Sequence, residues 1–200
     1  MSNNFDLKLL KDGDNILVHT NGFSFVSIGI RLLTHSFWNH VGKYVIKDNK
    51  GYIIEAEFKG VKLNPIEKYF GNKKYTLKAV RLAKSAFSDD EEYNKGIKIS
   101  VNKMFQLIEF KYDFGALIWL GAVYLSKGIT NKLLSIFKCN PLQSRNRFFC
   151  SESVCSSEKT ISSIIDNFYR GTTNQNCSNV TPKDIAKSPW TLHITGVNKI

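Results

Sequence analysis

Asn39-His40-Val41-Gly42-Lys43-Tyr44-Val45-Ile46-Lys47, then Asp48-Asn49-Lys50-Gly51, then Tyr52-Ile53-Ile54-Glu55-Ala56-Glu57, is the stretch on which the fold turns. Its first part alternates. His40, Gly42, Tyr44 and Ile46 share one face, and Val41, Lys43 and Val45 share the other, the period of a β-strand. Lys47-Asp48-Asn49-Lys50-Gly51 is turn material, so the two apolar runs predict a hairpin. With a loop of Lys47 to Lys50, Ile46 stands opposite Gly51 and Gly42 opposite Glu55. Glu55 then projects from the face of His40, one diagonal step away and within reach of a long side chain. Glycine opposite Glu55 leaves the carboxylate room to lean toward the imidazole. A one-residue change in loop length would put the two on opposite faces. Glu57 would stand directly opposite His40 and is the alternative partner. The plain alternative for Glu55 is a charge on a solvated strand face.

Working outward, Asn15-Ile16-Leu17-Val18-His19 follows an Asp12-Gly13-Asp14 turn and reads as a strand. Phe25, Ile28, Leu32 and Leu33 fall at helical spacing and predict a short helix over about 24–35. Tyr75 to Leu82 reads as a further strand. The acidic stretch Ser88 to Glu92 opens a helix to about 109, with Ile97, Val101, Met104 and Leu107-Ile108 as its apolar stripe. Residues 114–126 form a hydrophobic helix, and 127–146 a basic insertion or loop broken at Cys139-Asn140-Pro141. Cys150 opens a long helix whose core face is Val154, Ile161, Ile164, Ile165 and Phe168. Thr181 is an N-cap with Pro182 at the first helical position. Trp190 to Val197 ends the chain as a strand. These elements predict one α+β domain over residues 1–200.

Lys and Arg number 28 against 17 Asp and Glu, a net charge of +11. Such a surface attracts anions, whether acidic lipid headgroups, cell-wall polymers or nucleic acid. The excess is spread along the chain, at Lys43, Lys47, Lys50, Lys59, Lys62, Lys68 and beyond, with no compact basic tract interleaved with aromatics. That argues against a nucleic-acid partner. The start lacks a basic and then apolar leader, and the longest apolar stretch falls short of the ~20 residues a bilayer needs. The expected compartment is therefore the cytoplasm. Cytoplasmic thiols stay reduced, so disulfides among Cys139, Cys150, Cys155 and Cys177 are not expected. No Cys-x-x-Cys pair is present, which argues against a zinc site, and neither metal nor organic cofactor is expected.

Cys150 sits at a helix mouth, where partial positive charge favours thiolate over thiol. Arg145 and Arg147 lie just upstream. The free backbone N–H groups there are the donors an oxyanion needs. One place thus supplies a nucleophile and an oxyanion site. The plain alternative is a small buried core residue. Cys155 is a rival, but lies more than a turn into the helix. A nucleophilic cysteine needs a base, and histidine is the natural one. His40 is favoured, and His19, His35 and His193 compete with it.

Several stretches together resemble the circularly permuted papain-like amidases of the YiiX/YebB type, relatives of NlpC-type peptidases and of lecithin:retinol acyltransferase. Gly13-Asp14-Asn15-Ile16-Leu17-Val18 is similar to that family's opening Gly-Asp-Ile-Leu strand. Ser36-Phe37-Trp38-Asn39-His40-Val41-Gly42-Lys43-Tyr44-Val45 resembles its Ser-His-Val-Gly-Ile-Tyr segment. Tyr52-Ile53-Ile54-Glu55-Ala56 resembles its third-residue strand, and Arg147-Phe148-Phe149-Cys150-Ser151-Glu152 its Tyr-Cys-Ser-Glu segment. Lys111-Tyr112-Asp113-Phe114 and Thr181-Pro182-Lys183-Asp184-Ile185-Ala186 are similar to further segments in the same order. The chain departs from the pattern in its basic insertion and in Ser153-Val154.

The resemblance implies a permuted papain-like fold, an antiparallel sheet packed against a C-terminal helix that bears the cysteine. It implies Cys150 as nucleophile, His40 as base and Glu55 as orienter, acting on an amide or ester carbonyl through a thioester. Trp38 and Tyr112 are the candidate substrate-binding residues, and the expected substrate is a small peptide, amide or lipid. Three other functions compete: a lipid acyl hydrolase or acyltransferase at an anionic membrane, a peptidoglycan endopeptidase that would need export, and a non-catalytic basic binding protein.

Overall fold

The computed structural model describes residues 6–21, 36–116, 118–119, 142, 144, 146–159, 161, 177 and 180–194. Its strands are β1 (Asn15–Thr20), β2 (His40–Lys47), β3 (Lys50–Glu57), β4 (Gly60–Pro65), β5 (Tyr75–Leu82), β6 (Lys111–Tyr112), β7 (Arg147–Phe148) and β8 (Thr191–His193). Its α-helices are α1 (Asp90–Gln106), α2 (Cys150–Glu158) and α3 (Pro182–Lys187). Six strands form one antiparallel sheet in the order β4-β3-β2-β1-β5-β8, while β6 and β7 make a short parallel pair. The described residues make a mixed α+β fold with one large antiparallel sheet and three α-helices.

The β2–β3 hairpin has the predicted register: Lys47 faces Lys50, Ile46 faces Gly51 and Lys43 faces Ile54. Its turn residues Asp48 and Asn49 have φ of 51° and 57°. Two left-handed residues in a row make the tight turn whose twist suits a hairpin, and Asp and Asn tolerate that conformation best after glycine. The β1 and β5 predictions hold. Strand β4 was not foreseen. It is short, lies at the sheet edge, carries exposed Lys62 and ends on Pro65, all features that blunt an edge and weaken the strand signal.

Both faces of the sheet centre are covered. One cluster joins Leu17, Val41, Val45, Ile54 and Ala56 to Val101, Met104, Phe149 and Val154 of the helical layer. The other joins Ile16, Val18, Tyr44, Ile53 and Leu77 to Leu10, Ile66 and Tyr69. Helix α1 is capped by Asp89, whose carboxylate accepts the Glu92 N–H at 2.7 Å. Helix α2 packs on β2, β3 and α1. Thr181 caps α3 as predicted, and the Asp184 carboxylate accepts the Thr181 N–H in return.

Three expectations are corrected. Helix α2 ends at Glu158, with Lys159 as its C-cap, so it is shorter than the apolar spacing out to Phe168 implied. Cys155 and Cys177 form a disulfide, Cα atoms 5.4 Å apart; the expectation that every cysteine stays reduced fails because both are buried together in the core cluster. Lys43, counted above among dispersed surface lysines, is fully buried. Its ammonium donates to Glu158 Oε1 and Asn15 Oδ1, both at 2.9 Å. The alternation sets Lys43 between Val41 and Val45 on one strand face, and that face proves to be the one packed against the helices. The predicted helix over 24–35, residues 120–126 of the apolar segment and most of 127–146 lie outside the described residues. Among the described residues no helix is long and apolar enough to cross a membrane.

Candidate active site

Helix α2 begins at Cys150, and its first intrahelical bond runs from the Ser153 N–H to the Phe149 carbonyl at 3.0 Å. The Cys150 and Ser151 N–H groups therefore precede the helical ladder, where the positive end of the dipole lies. The Glu152 carboxylate reaches back to the Phe149 N–H at 3.3 Å and fixes this first turn. The Ser151 hydroxyl donates to the Val180 carbonyl at 2.7 Å, which ties the turn to the chain entering α3. Cys150 is buried, and is the free cysteine among the described residues. Cys155, its rival, is consumed by the disulfide.

His40 opens β2 and lies beside Cys150 on the wall of one cavity, close enough for the thiol to act on the imidazole. Its Nε2 lies 2.5 Å from Glu55 Oε2, leaving Nδ1 for the sulfur. The diagonal geometry drawn from the hairpin register is thus realised, and it depends on Gly42. A Cβ there would lie 2.9 Å from Glu55 Cβ and 2.4 Å from Ile53 Cγ2. Of the competing histidines, His19 sets its Nδ1 2.6 Å from the Phe37 carbonyl and stacks on the Phe37 ring. His193 is exposed on β8, and His35 lies outside the described residues.

Glu55 is fully buried yet surrounded by donors. Oε2 accepts from His40 and from the Tyr69 hydroxyl at 2.7 Å. Oε1 accepts from Asn64 Nδ2 at 2.7 Å and Lys68 Nζ at 3.0 Å. Glu57, the alternative partner, instead bonds Lys68 and Asn64. Asn64, Lys68 and Tyr69 were not anticipated. They come from β4 and the 3₁₀ turn Ile66–Lys68 beyond it, and no local pattern links them to Glu55.

The electrostatics follow from this packing. Burial alone lowers the His40 pKa, but hydrogen bonds to Cys150 and Glu55 and their negative charges outweigh it and push it up to about 10. Burial alone raises the Glu55 pKa, but His40, Lys68 and Tyr69 pull it down to about 2. The pair is therefore imidazolium and carboxylate near neutrality. Burial, then the charge of Glu55, drives the Tyr69 hydroxyl far above the usual tyrosine range, so it remains a donor.

A cavity of about 380 Å³ opens onto Cys150 and His40. Tyr112 lines it, as do Phe58, Phe114, Lys68 and Glu57. Tyr112 is pushed upward by burial and by the nearby Cys150 charge. Asp113 next to it is buried and accepts the Ala116 and Ser144 N–H groups, a loop-holding role. Trp38 is placed in the core cluster beside the sheet, and its neighbour Asn39 lines the cavity.

No protein-family profile and no curated protein matches the chain. Among solved structures, the crystal structure of the metalloprotein YiiX from Escherichia coli O157:H7 (DUF1105) is similar, with a TM-score of 0.58 and 19% identity over 92% of this chain and 96% of that one. Among the described residues here, no three His, Cys, Asp or Glu side chains are placed to hold a metal ion. His40 and Glu55 are bonded to each other and the Lys68 ammonium adjoins them, a donor set that does not suit a cation. What this chain shares with YiiX is a fold: a mixed α+β, YiiX-like architecture that carries Cys150 on a helix and His40 and Glu55 on a hairpin.

Proposed function

We propose that the protein is a cysteine hydrolase of the permuted papain-like kind, which cleaves an amide or ester through a thioester on Cys150. The single observation that carries this reading is that Cys150 at the mouth of α2 lies beside His40, which is in turn hydrogen-bonded to buried Glu55. The Cys150 thiolate adds to the substrate carbonyl, forming a C–S bond and an oxyanion. The Cys150 N–H, which lies ahead of the helical ladder, donates to that oxyanion. The intermediate collapses, the C–N or C–O bond breaks, and the His40 imidazolium gives its proton to the leaving group. His40, now neutral, takes a proton from water as water attacks the thioester. The C–S bond breaks, the acid leaves, and the thiolate–imidazolium pair is restored. Glu55 holds the Nε2 proton throughout and so keeps Nδ1 toward the reacting atoms.

A lipid ester is the second reading of the substrate. Phe58, 70% exposed, stands edge-on to Phe114 at the cavity wall beside exposed Lys59, which suits an anionic membrane surface. Co-sedimentation with phosphatidylserine vesicles separates this reading from a soluble amide substrate. The primary test is a thioester-forming activity probe on wild type and Cys150→Ala. Labelling of wild type alone is expected, and equal labelling of both would sink the proposal. Indifference of Cys150 to iodoacetamide at neutral pH would favour the non-catalytic binding protein.

A further inference from the structure

We infer that Lys68 is a positioning residue that keeps Glu55 ionised and aimed at His40 while His40 changes its own charge; this rests on the active-site reading above. Glu55 has two oxygens and four donors, so its acceptor positions are filled. Two donors are neutral, Tyr69 and Asn64. Two are cationic, His40 and Lys68. In the cycle proposed here His40 alternates between imidazolium and imidazole. Whenever it is neutral, a fully buried carboxylate would face only neutral groups were it not for Lys68. A buried carboxylate without a cation takes up a proton. Glu55 would then lose the fixed charge that orients the imidazole.

Lys68 is built to supply that charge. It ends the 3₁₀ turn Ile66–Lys68, which is anchored by buried Ile66 and follows directly on Pro65. Its ammonium bonds Glu57 as well as Glu55 and lies 4.8 Å from the Tyr69 ring centroid. Burial opposes its charge, but the two carboxylates more than compensate and raise its pKa, so it stays protonated through the cycle. The other charged or titratable groups are differently placed. Lys62 pairs with Glu55 in the β3–β4 register but is exposed. Tyr75 packs edge-on to Tyr69. Tyr112, Asp113 and Glu152 lie on the Cys150 side. Among the described residues, Lys68 is the cation bonded to Glu55 other than His40.

The sign is determined by simple electrostatics. Removing a cation raises the pKa of every acid near it. With His40 protonated, Glu55 stays ionised even without Lys68, so Lys68→Met should shift upward the pH at which the His40–Glu55 pair gives up its last proton, and the pair becomes a poorer acid toward the leaving group. Glu57→Gln removes an anion from the same cluster and should shift it downward.

The test is an NMR titration of the His40 ring in the full chain, with the pH dependence of Cys150 alkylation by iodoacetamide read on its own peptide by mass spectrometry. Lys68→Met is expected to move the His40 midpoint up by about one unit, with the alkylation profile moving the same way. Lys68→Arg is expected to restore both. A folded Lys68→Met protein with an unmoved His40 midpoint would overturn the inference. Should that variant fail to fold, Lys68→Gln decides, since it keeps a neutral donor where the ammonium stood: an upward shift supports the role, and no shift overturns it. A wild-type His40 with an ordinary midpoint and an unreactive Cys150 would overturn the active-site reading itself. A raised wild-type midpoint that ignores both variants would overturn only the role of Lys68.

Discussion

Gly42→Ala tests the hairpin geometry with a single methyl group. The added Cβ would lie 2.4 Å from Ile53 Cγ2, 2.9 Å from Glu55 Cβ and 3.0 Å from the Ile54 carbonyl oxygen, against ordinary contacts of 3.4–4 Å. The Ile53 methyl can rotate away, but the Glu55 Cβ and the Ile54 backbone cannot without moving strand β3. Relief needs Glu55 Cβ to retreat by at least about half an ångström, the gap between 2.9 and 3.4 Å. Overpacking of this kind costs about 1–3 kcal/mol. For a domain of this length that is a fall in Tm of roughly 2–4 °C per kcal/mol, so about 4–8 °C for a mid-range cost. The catalytic effect should be the larger one, because a full ångström of misplacement in a reacting array costs about a hundredfold in rate, so half an ångström costs on the order of tenfold. Thermal unfolding followed by circular dichroism gives the first number, and the acylation rate of Cys150 by the thioester probe gives the second. A Gly42→Ala protein with wild-type Tm and wild-type acylation would refute the close approach of the two strands and the placement of Glu55 built on it.

Three further outcomes follow from named contacts. Glu55→Gln should impair turnover far more than Glu57→Gln, because Glu55 alone bonds His40; the reverse order in steady-state rates would make Glu57 the orienter. Stability should depend on pH at both ends. Glu55 is depressed from 4.5 to about 2, so its contribution is full above the unfolded value and is lost as pH falls through about 2. His40 is raised from 6.5 to about 10, so its contribution is full below 6.5 and is lost as pH rises through about 10. Urea midpoints across pH should show both limbs in wild type and flatter limbs in Glu55→Gln, and parallel curves would contradict the coupling. Lys43→Met strands the buried Glu158 carboxylate and should cost about 3–5 kcal/mol, most of it recovered in Lys43→Met/Glu158→Leu. Denaturant curves for both variants measure this, and a single variant as stable as wild type would show that the pair is not structurally coupled.

Much of the site was legible because it is local. The distance from His40 to Glu55 is bridged by one two-residue turn, so alternation and turn chemistry were enough to fix which face each side chain takes. The start of α2 at Cys150 was legible for a similar reason, since the polar Cys-Ser-Glu run follows two aromatics. What escaped is non-local. Lys68 and Tyr69 reach Glu55 only because β4 returns antiparallel to β3, and an edge strand ending in proline gives a faint signal. Cys177 meets Cys155 across a sequence separation of 22, and no local pattern pairs them. Lys43 was readable in principle, as a lysine among valines on the inner face, but its partner Glu158 lies 115 residues away. A buried lysine without a visible counterion reads, in sequence, as a surface charge.

The Cys155–Cys177 bond also changes what a cut in the chain would mean. It spans 22 residues and joins the cysteine-bearing helix to the segment that leads into α3 and β8. A protease that nicks the chain anywhere between those two cysteines leaves both fragments covalently joined. The nicked protein would migrate as one species without reductant and as two with it. β8 would stay tethered to the molecule whose sheet it completes, so the lesion would be invisible until the thiols were freed.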